Sequence, residues 1–205
     1  MRKFRHKNNI SPAKAVASEL SFKKSGGLIL TNTTRLIRSI VDNGLIAALY
    51  FVMTIFIPAV SFQMFNFRIG EILVLLCFWR PDLGIGLTVG CFLSNFFGAA
   101  TGQTALIDML MGTGGTVLSV LCVSYLSPKL LVACLYPPVF NGVLVGLMLY
   151  YFYDFGSIAL WVEMGWVALG ELTVILIGYV LWMLCKRGSW FFKILRPTRH
   201  QAVRW

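Results

Sequence analysis

Residues 158–188 read IALWVEMGWVALGELTVILIGYVLWMLCKRG. From Ile158 to Cys185 there is no base, and as an α-helix this stretch would extend about 42 Å, more than the roughly 30 Å hydrocarbon thickness of a bilayer. It reads as a transmembrane helix, closed by Lys186 and Arg187. Glu171 follows Gly170 near its middle, with no cation in the segment to pair it. An ionisable group at that depth costs about 2.5–3.5 kcal/mol on insertion scales, so Glu171 is expected to have a specific role.

The rest of the chain agrees with a membrane assignment. Its 205 residues are 58% hydrophobic and 13% charged, with a mean hydropathy of +0.76. A 22.9 kDa globule could not hide that much apolar surface from water. The net charge of +10 is unevenly placed: residues 1–42 carry +7, residues 186–205 carry +6, and the apolar body between them carries −3. A basic arm can bind nucleic acid, but no zinc spacing, helix-turn-helix pattern or aromatic RNA-binding signature accompanies these tails. They read instead as cytoplasmic flanks that set membrane orientation. The first apolar run begins near Leu45, too deep for a cleaved signal peptide, and is expected to remain as a first span.

Six apolar runs follow one another: Leu45–Val60, Ile69–Trp79, Leu83–Phe97, Thr104–Leu126, Leu130–Phe152 and Ile158–Cys185. The expected fold is an all-α integral membrane protein with six transmembrane helices, the second and third short. With both termini cytoplasmic, the turns at Arg80–Asp82 and Ser127–Lys129 also fall inside, and every base except Arg68 lies on that side. An odd helix count would strand one basic tail outside. The expected organisation is a basic cytoplasmic N-terminal tail (1–40), a membrane substrate-binding domain (41–186) and a basic cytoplasmic C-terminal tail (187–205), in a multi-pass protein of the cell membrane.

In that topology Arg68, Glu71, Asn95, Gln103, Asp108, Asp154 and Glu163 collect in the outer half, with Asn141 and Glu171 nearer mid-depth. Several polar groups facing one side suggest a solute site open to the exterior. Structural readings stand beside the functional ones. Arg68 and Glu71, three apart, can form an ion pair at a helix end. Asp108 and Asp154 lie close to the interface, where a solvated carboxylate is ordinary. Asn95 and Asn141 can cross-link helices for roughly 1 kcal/mol. The rim aromatics, among them Phe65, Phe67, Tyr153, Trp161 and Trp166, read mainly as an interfacial belt.

Gly84, Gly86 and Gly90, and the run Gly112-Thr113-Gly114-Gly115, mimic dinucleotide fingerprints, but no strand precedes them, so they read as close helix packing. Gly44, Ala47 and Ala48 give the first helix a smooth small-residue face. Cys77, Cys91, Cys122, Cys134 and Cys185 form no CxxC pair and read as small hydrophobes. The only histidines, His6 and His200, lie in the tails, which leaves no intramembrane histidine for a Ser/His or zinc mechanism. No phosphate-binding P-loop is present, so the chain is not itself a P-loop ATPase. No metal, cofactor or catalytic residue is called for.

Taken in order, Leu45-Ile46-Ala47-Ala48-Leu49-Tyr50, Ser61-Phe62, Phe67-Arg68-Ile69-Gly70-Glu71, Gly90-Cys91-Phe92-Leu93-Ser94-Asn95, Pro137-Pro138-Val139-Phe140-Asn141 and Gly170-Glu171-Leu172 resemble the QueT family. These are substrate-binding S-components of energy-coupling factor (ECF) transporters, assigned to uptake of queuosine precursors. The likeness covers about residues 40–185. It implies six helices, an outward site near the second to sixth, and a first-helix face that docks on a transmembrane coupling protein driven by two ATPase subunits. The chain departs from the family pattern at Gln63–Asn66, at Gly70 and at Ala99–Thr104.

The resemblance implies capture of a deazaguanine-type base, the aminomethyl prequeuosine base or queuine, and its delivery inward without covalent chemistry. One carboxylate, Glu71 or Glu171, suits the adjacent N–H donors of a guanine-like edge. A cationic aminomethyl arm favours a second acid, Asp108 or Glu163. Asn95 and Asn141 can bond the ring, Arg68 can contact a carbonyl or hold Glu71, and Phe67 or Trp161 can cover the ring face. Gly44, Ala47 and Ala48 are the expected partner face. The alternatives are an S-component for another vitamin such as thiamine or folate, and a non-transporting membrane interaction protein.

Overall fold

The computed structural model describes residues 12–56, 67–152, 159–188 and 190–198, with side chains from Thr33 onward. Ser61, Phe62, the Gln63–Asn66 loop, Tyr153, Asp154, His6 and His200 lie outside the described residues. The chain divides into two compact units, Met1–Ile40 and Val41–Trp205. In the first, the described part is helical from Pro12, and Leu36, Ile37 and Ile40 are exposed.

Every regular element among the described residues is a helix. The α-helices are α1 (Pro12–Ile55), α2 (Gly84–Ala100), α3 (Asp108–Tyr125), α4 (Leu130–Ala133), α5 (Tyr136–Phe152), α6 (Leu160–Cys185) and α7 (Phe191–Leu195). Four stretches are long and apolar enough to cross a membrane: Thr33–Ile55, Pro81–Ala100, Leu130–Phe152 and Leu160–Cys185. The third apolar run gains length from the 3-10 turn Pro81–Leu83, which leads directly into α2. The fourth is helical only from Asp108, and its Gly112–Thr116 segment dilutes its hydropathy. The fifth breaks at Cys134 and Leu135, then restarts with Pro137 and Pro138 in the first turn of α5, where their missing N–H groups leave no helical bond unmade.

The second run folds differently. Ile69–Phe78 is a ten-residue 3-10 helix. At about 2.0 Å per residue it covers roughly 20 Å, where an α-helix of the same length would cover about 15 Å. Gly70 to Phe78 are all buried, and apart from Glu71 the helix is apolar all round, as one at the centre of a bundle should be. The Trp182 indole donates to the Ile72 carbonyl at 2.9 Å, and a Cβ on Gly178 would lie 2.9 Å from Ile72 Cγ2, so α6 lies directly against it. The main core gathers around this element: Tyr50, Leu73, Leu75, Trp79, Leu87, Val123, Ile175 and Phe191. Phe191 stacks edge-on to Trp79 at 5.5 Å, and the Thr198 amide donates to the Trp79 carbonyl at 3.0 Å, so residues 191–198 pack on the body.

Small residues set the remaining helix contacts. Gly86 donates its N–H to Asn43 Oδ1 at 2.7 Å, and a Cβ on Gly90 would meet the Ala47 carbonyl at 2.7 Å. Across α5 and α6, a Cβ on Gly142 would lie 2.9 Å from Ala168 Cβ, and one on Gly146 would lie 2.7 Å from Met164 Cα. This is the close approach that small residues four apart allow in lipid, where van der Waals packing replaces hydrophobic drive. Gly146→Val should therefore cost about 1–3 kcal/mol through overpacking against backbone. Thermal melting in detergent checks this against Gly165→Ala, whose added Cβ would meet nothing within 4 Å.

Candidate functional site

The polar side chains meet where the 3-10 helix begins. Residues three apart stack in a 3-10 helix, so Arg68, immediately before Ile69, and Glu71 emerge on one side, and both are buried. They do not form the ion pair their spacing allows. Arg68 Nη2 lies 3.6 Å from Asp108 Oδ2 and donates to Asn95 Oδ1, while Nη1 reaches Cys91 Sγ at 3.8 Å. Asn95 Nδ2 donates to Thr113 Oγ1 at 3.3 Å and reaches Cys91 Sγ at 3.6 Å. Gly112 makes this possible: a Cβ there would stand 2.8 Å from Arg68 Nη1 and 2.9 Å from both Asn95 Nδ2 and Asp108 Oδ1.

Glu71 faces other partners. Its Oε1 accepts from the Tyr50 hydroxyl at 2.6 Å and from Thr116 Oγ1 at 2.7 Å, which ties α1 and α3 to the 3-10 helix. On α5 and α6, Asn141 Nδ2 donates to Glu171 Oε1 at 3.1 Å. Gly115 leaves room for the Asn141 amide, whose Oδ1 occupies the place a Cβ would take. Adjacent residues of α3 bring the two pairs together, since Thr116 bonds Glu71 while Gly115 seats the amide of Asn141, the partner of Glu171.

That site is out of balance. Among the described residues, buried side-chain atoms without a hydrogen-bond partner include the acceptors Glu71 Oε2, Asp108 Oδ1, Asn141 Oδ1, Glu163 Oε2 and Glu171 Oε2, the donor Arg68 Nε, and the hydroxyls of Thr54, Thr104 and Ser124, which can do either. Four carboxylates, Glu71, Asp108, Glu163 and Glu171, are buried, and Arg68, the buried guanidinium of this cluster, pairs with Asp108 alone. Unpaired buried charge costs several kcal/mol per ion, and an unsatisfied buried acceptor about 1–3 kcal/mol. A molecule that brings several N–H donors or a positive charge would relieve both. No three His, Cys, Asp or Glu side chains among the described residues group closely enough to hold a metal ion.

The other expected site residues are placed as follows. Glu163, in the first turn of α6, is buried, and Phe67 is half-buried beside Arg68. Trp161 is 78% exposed and points away from Glu163, a belt position rather than a wall of the cluster. Gln103 is exposed. Tyr50, Thr116 and Cys91 join the cluster without having been singled out from sequence as polar partners. Of the cysteines, Cys91 is more than a small hydrophobe, since it sits among Arg68, Asn95 and Thr116, with Thr116 Oγ1 at 3.3 Å. A signal existed on α3, where Asp108, Gly112, Thr116 and Ser119 recur at three- and four-residue steps on one buried face.

Gly44, Ala47 and Ala48, with Phe51, Leu93, Phe96 and Phe97, line a groove of about 430 Å³ between α1 and α2. Ala47 is buried against Gly90, while Gly44 and Ala48 are exposed. Beyond the far end of the 3-10 helix, Arg80 pairs with Asp82 and with Asp42 at 2.8 Å, and donates to the Leu195 carbonyl at 3.3 Å. The bond to Asp82 raises the guanidinium pKa above its ordinary value, against the opposing effect of burial.

A family model described as the QueT transporter matches residues 40–187. No curated protein and no solved structure gives a significant match.

Proposed function

The chain belongs to the QueT transporter family, a family of transporters and not of enzymes, and from that premise we propose that it is the substrate-binding S-component of an ECF importer for a queuosine precursor. It is a multi-pass membrane protein. In this reading six elements cross or enter the bilayer: the four long apolar stretches, α3 and the 3-10 helix. Both basic tails, 1–40 and 187–205, face the cytoplasm around the membrane domain 41–186, because the +8 and +5 charges they carry then lie on the same side.

The observation that carries the proposal is the surplus of buried acceptors around Arg68. A deazaguanine base offers adjacent ring and amino N–H donors, which a carboxylate can accept as a bidentate pair. Glu71 Oε2 and Glu171 Oε2, without a hydrogen-bond partner among the described residues, are the acceptors for that edge, with Asn141 holding Glu171 from its other oxygen. Arg68, steadied by Asp108 and Asn95, is left to face the ring carbonyl, with Phe67 against the ring and Trp161 at the rim. Calorimetry of the purified protein with aminomethyl-deazaguanine, queuine, guanine and thiamine tests this. Submicromolar binding of a deazaguanine, and of neither guanine nor thiamine, is the expected result. Micromolar or weaker binding throughout would remove the substrate assignment.

The groove at Gly44 and Ala48 supports docking of the transmembrane coupling protein, which would bring the two ATPase subunits. Because Ala47 already packs on Gly90, the informative substitution is Ala48→Trp, at an exposed position beside Gly44. It should abolish co-purification of the coupling and ATPase subunits while leaving solute affinity within about threefold, a change under 1 kcal/mol. Retained co-purification would place the partner elsewhere.

A further inference from the structure

Three of the four buried carboxylates in this half of the bundle have protein partners. Glu71 accepts from Tyr50 and Thr116, Asp108 faces Arg68, and Glu171 accepts from Asn141. Glu163 is different. It is 2% exposed, and among the described residues its Oε2 has no hydrogen bond and no cation lies within ion-pair distance of it. Its place on α6 is also specific. Glu163, Val167 and Glu171 follow at four-residue steps and are all buried, so one face of α6 carries two carboxylates about 12 Å apart along the axis with an apolar residue between them. Val167 belongs to the apolar cluster of Val145, Met148 and Leu149, which supplies no donor to either acid.

This arrangement separates two tasks. Glu71 Oε2 and Glu171 Oε2 are the acceptors that the proposed site offers to a planar donor edge. Glu163 lies about two turns nearer the start of α6 than Glu171, and among the described residues its Oε2 has no partner, a costly position for a carboxylate. Asp108, the other acid near that level, is already committed to the only buried guanidinium of the site. We infer that Glu163 is the specificity residue for the ligand's substituent: it takes the protonated amine on an arm of the base, and so selects cationic deazaguanines over neutral ones of the same ring. The inference rests on the deazaguanine reading above and adds to it which single acid reads the charge.

The test compares aminomethyl-deazaguanine, whose arm is cationic, with cyano-deazaguanine, whose arm is neutral, on the full-length protein by calorimetry. The wild type should prefer the aminomethyl base by a hundredfold or so. Glu163→Gln, which keeps shape and removes charge, should erase most of that preference by weakening the aminomethyl base while leaving the cyano base within threefold. Glu163→Asp, one methylene shorter with the charge retained, should keep a preference of at least tenfold, and melting curves of both variants separate loss of binding from loss of fold. An equal loss for both bases in Glu163→Gln, or no loss for either, overturns the role of Glu163 and leaves the transporter assignment standing. If the wild type binds neither base, the deazaguanine reading fails and this inference falls with it.

Discussion

Glu71→Gln should weaken binding of aminomethyl-deazaguanine by about a hundredfold or more and change the melting temperature little. The geometry explains why the two effects separate. Both protein bonds to Glu71, from the Tyr50 hydroxyl and Thr116 Oγ1, end on Oε1. A glutamine carbonyl can accept both, so the tie between α1, α3 and the 3-10 helix survives. What changes is Oε2, the oxygen with no partner in the protein. In glutamine that position becomes an amide N–H₂ directed at a ligand edge that also donates. Losing a charge-assisted acceptor costs about 1.5–3 kcal/mol, and a donor left facing a donor adds a desolvation penalty of similar size. At 1.4 kcal/mol per tenfold, a hundredfold is the lower end of that sum. Calorimetry and differential scanning on the same preparation check it, and unchanged affinity would reduce Glu71 to a helix tie.

Arg68→Met should be the most damaging single change to the fold. It removes the one buried guanidinium of the site and leaves Asp108 and Asn95 without their partner. Breaking a buried pair by deleting one member costs about 3–5 kcal/mol because the remaining charge stays desolvated. For a chain of this size that corresponds to a fall in melting temperature on the order of 10 °C. The diagnostic is the double variant Arg68→Met with Asp108→Asn, which removes the stranded charge as well. It should melt higher than Arg68→Met alone, a coupling expected of residues in direct contact. Losses that simply add would show that Arg68 is held by something other than Asp108.

The parts of this structure that were legible in the sequence are those where the membrane constrains a side chain by depth. The helix around Glu171 was visible because its length exceeds the bilayer, and Arg68, Glu71 and Glu163 because charge is rare at such positions. Which face of each helix turns inward was much less visible. Lipid is as apolar as a protein core, so a hydrophobic helix carries no polar contrast to mark its outer side. Tyr50 was passed over for that reason, as was the inward turn of Cys91, whereas Thr116 carried the polar periodicity of α3. Trp161 could have been settled by arithmetic, since two residues rotate about 200° around an α-helix and Trp161 must leave the face that Glu163 shares with Glu171. The 3-10 helix was beyond reach. Past Glu71 every residue from Ile72 to Phe78 is apolar, which leaves no phase from which to read a period. The Arg68–Asp108 pair depends on α3 meeting the start of the 3-10 helix, which no local spacing encodes.

The Tyr50–Glu71 bond has a thermodynamic meaning as well as a structural one. Tyr50 stands three residues beyond Ala47, so the helix that lines the groove at Gly44 and Ala48 also supplies a donor to Glu71, an acid of the proposed solute site. Two ligands that act on one helix from opposite sides share a coupling free energy, and that quantity is reciprocal: whatever factor a docked partner imposes on solute affinity, the solute imposes on docking. Tyr50→Phe cuts the only hydrogen bond described between α1 and Glu71, so it is the substitution through which that factor is measured.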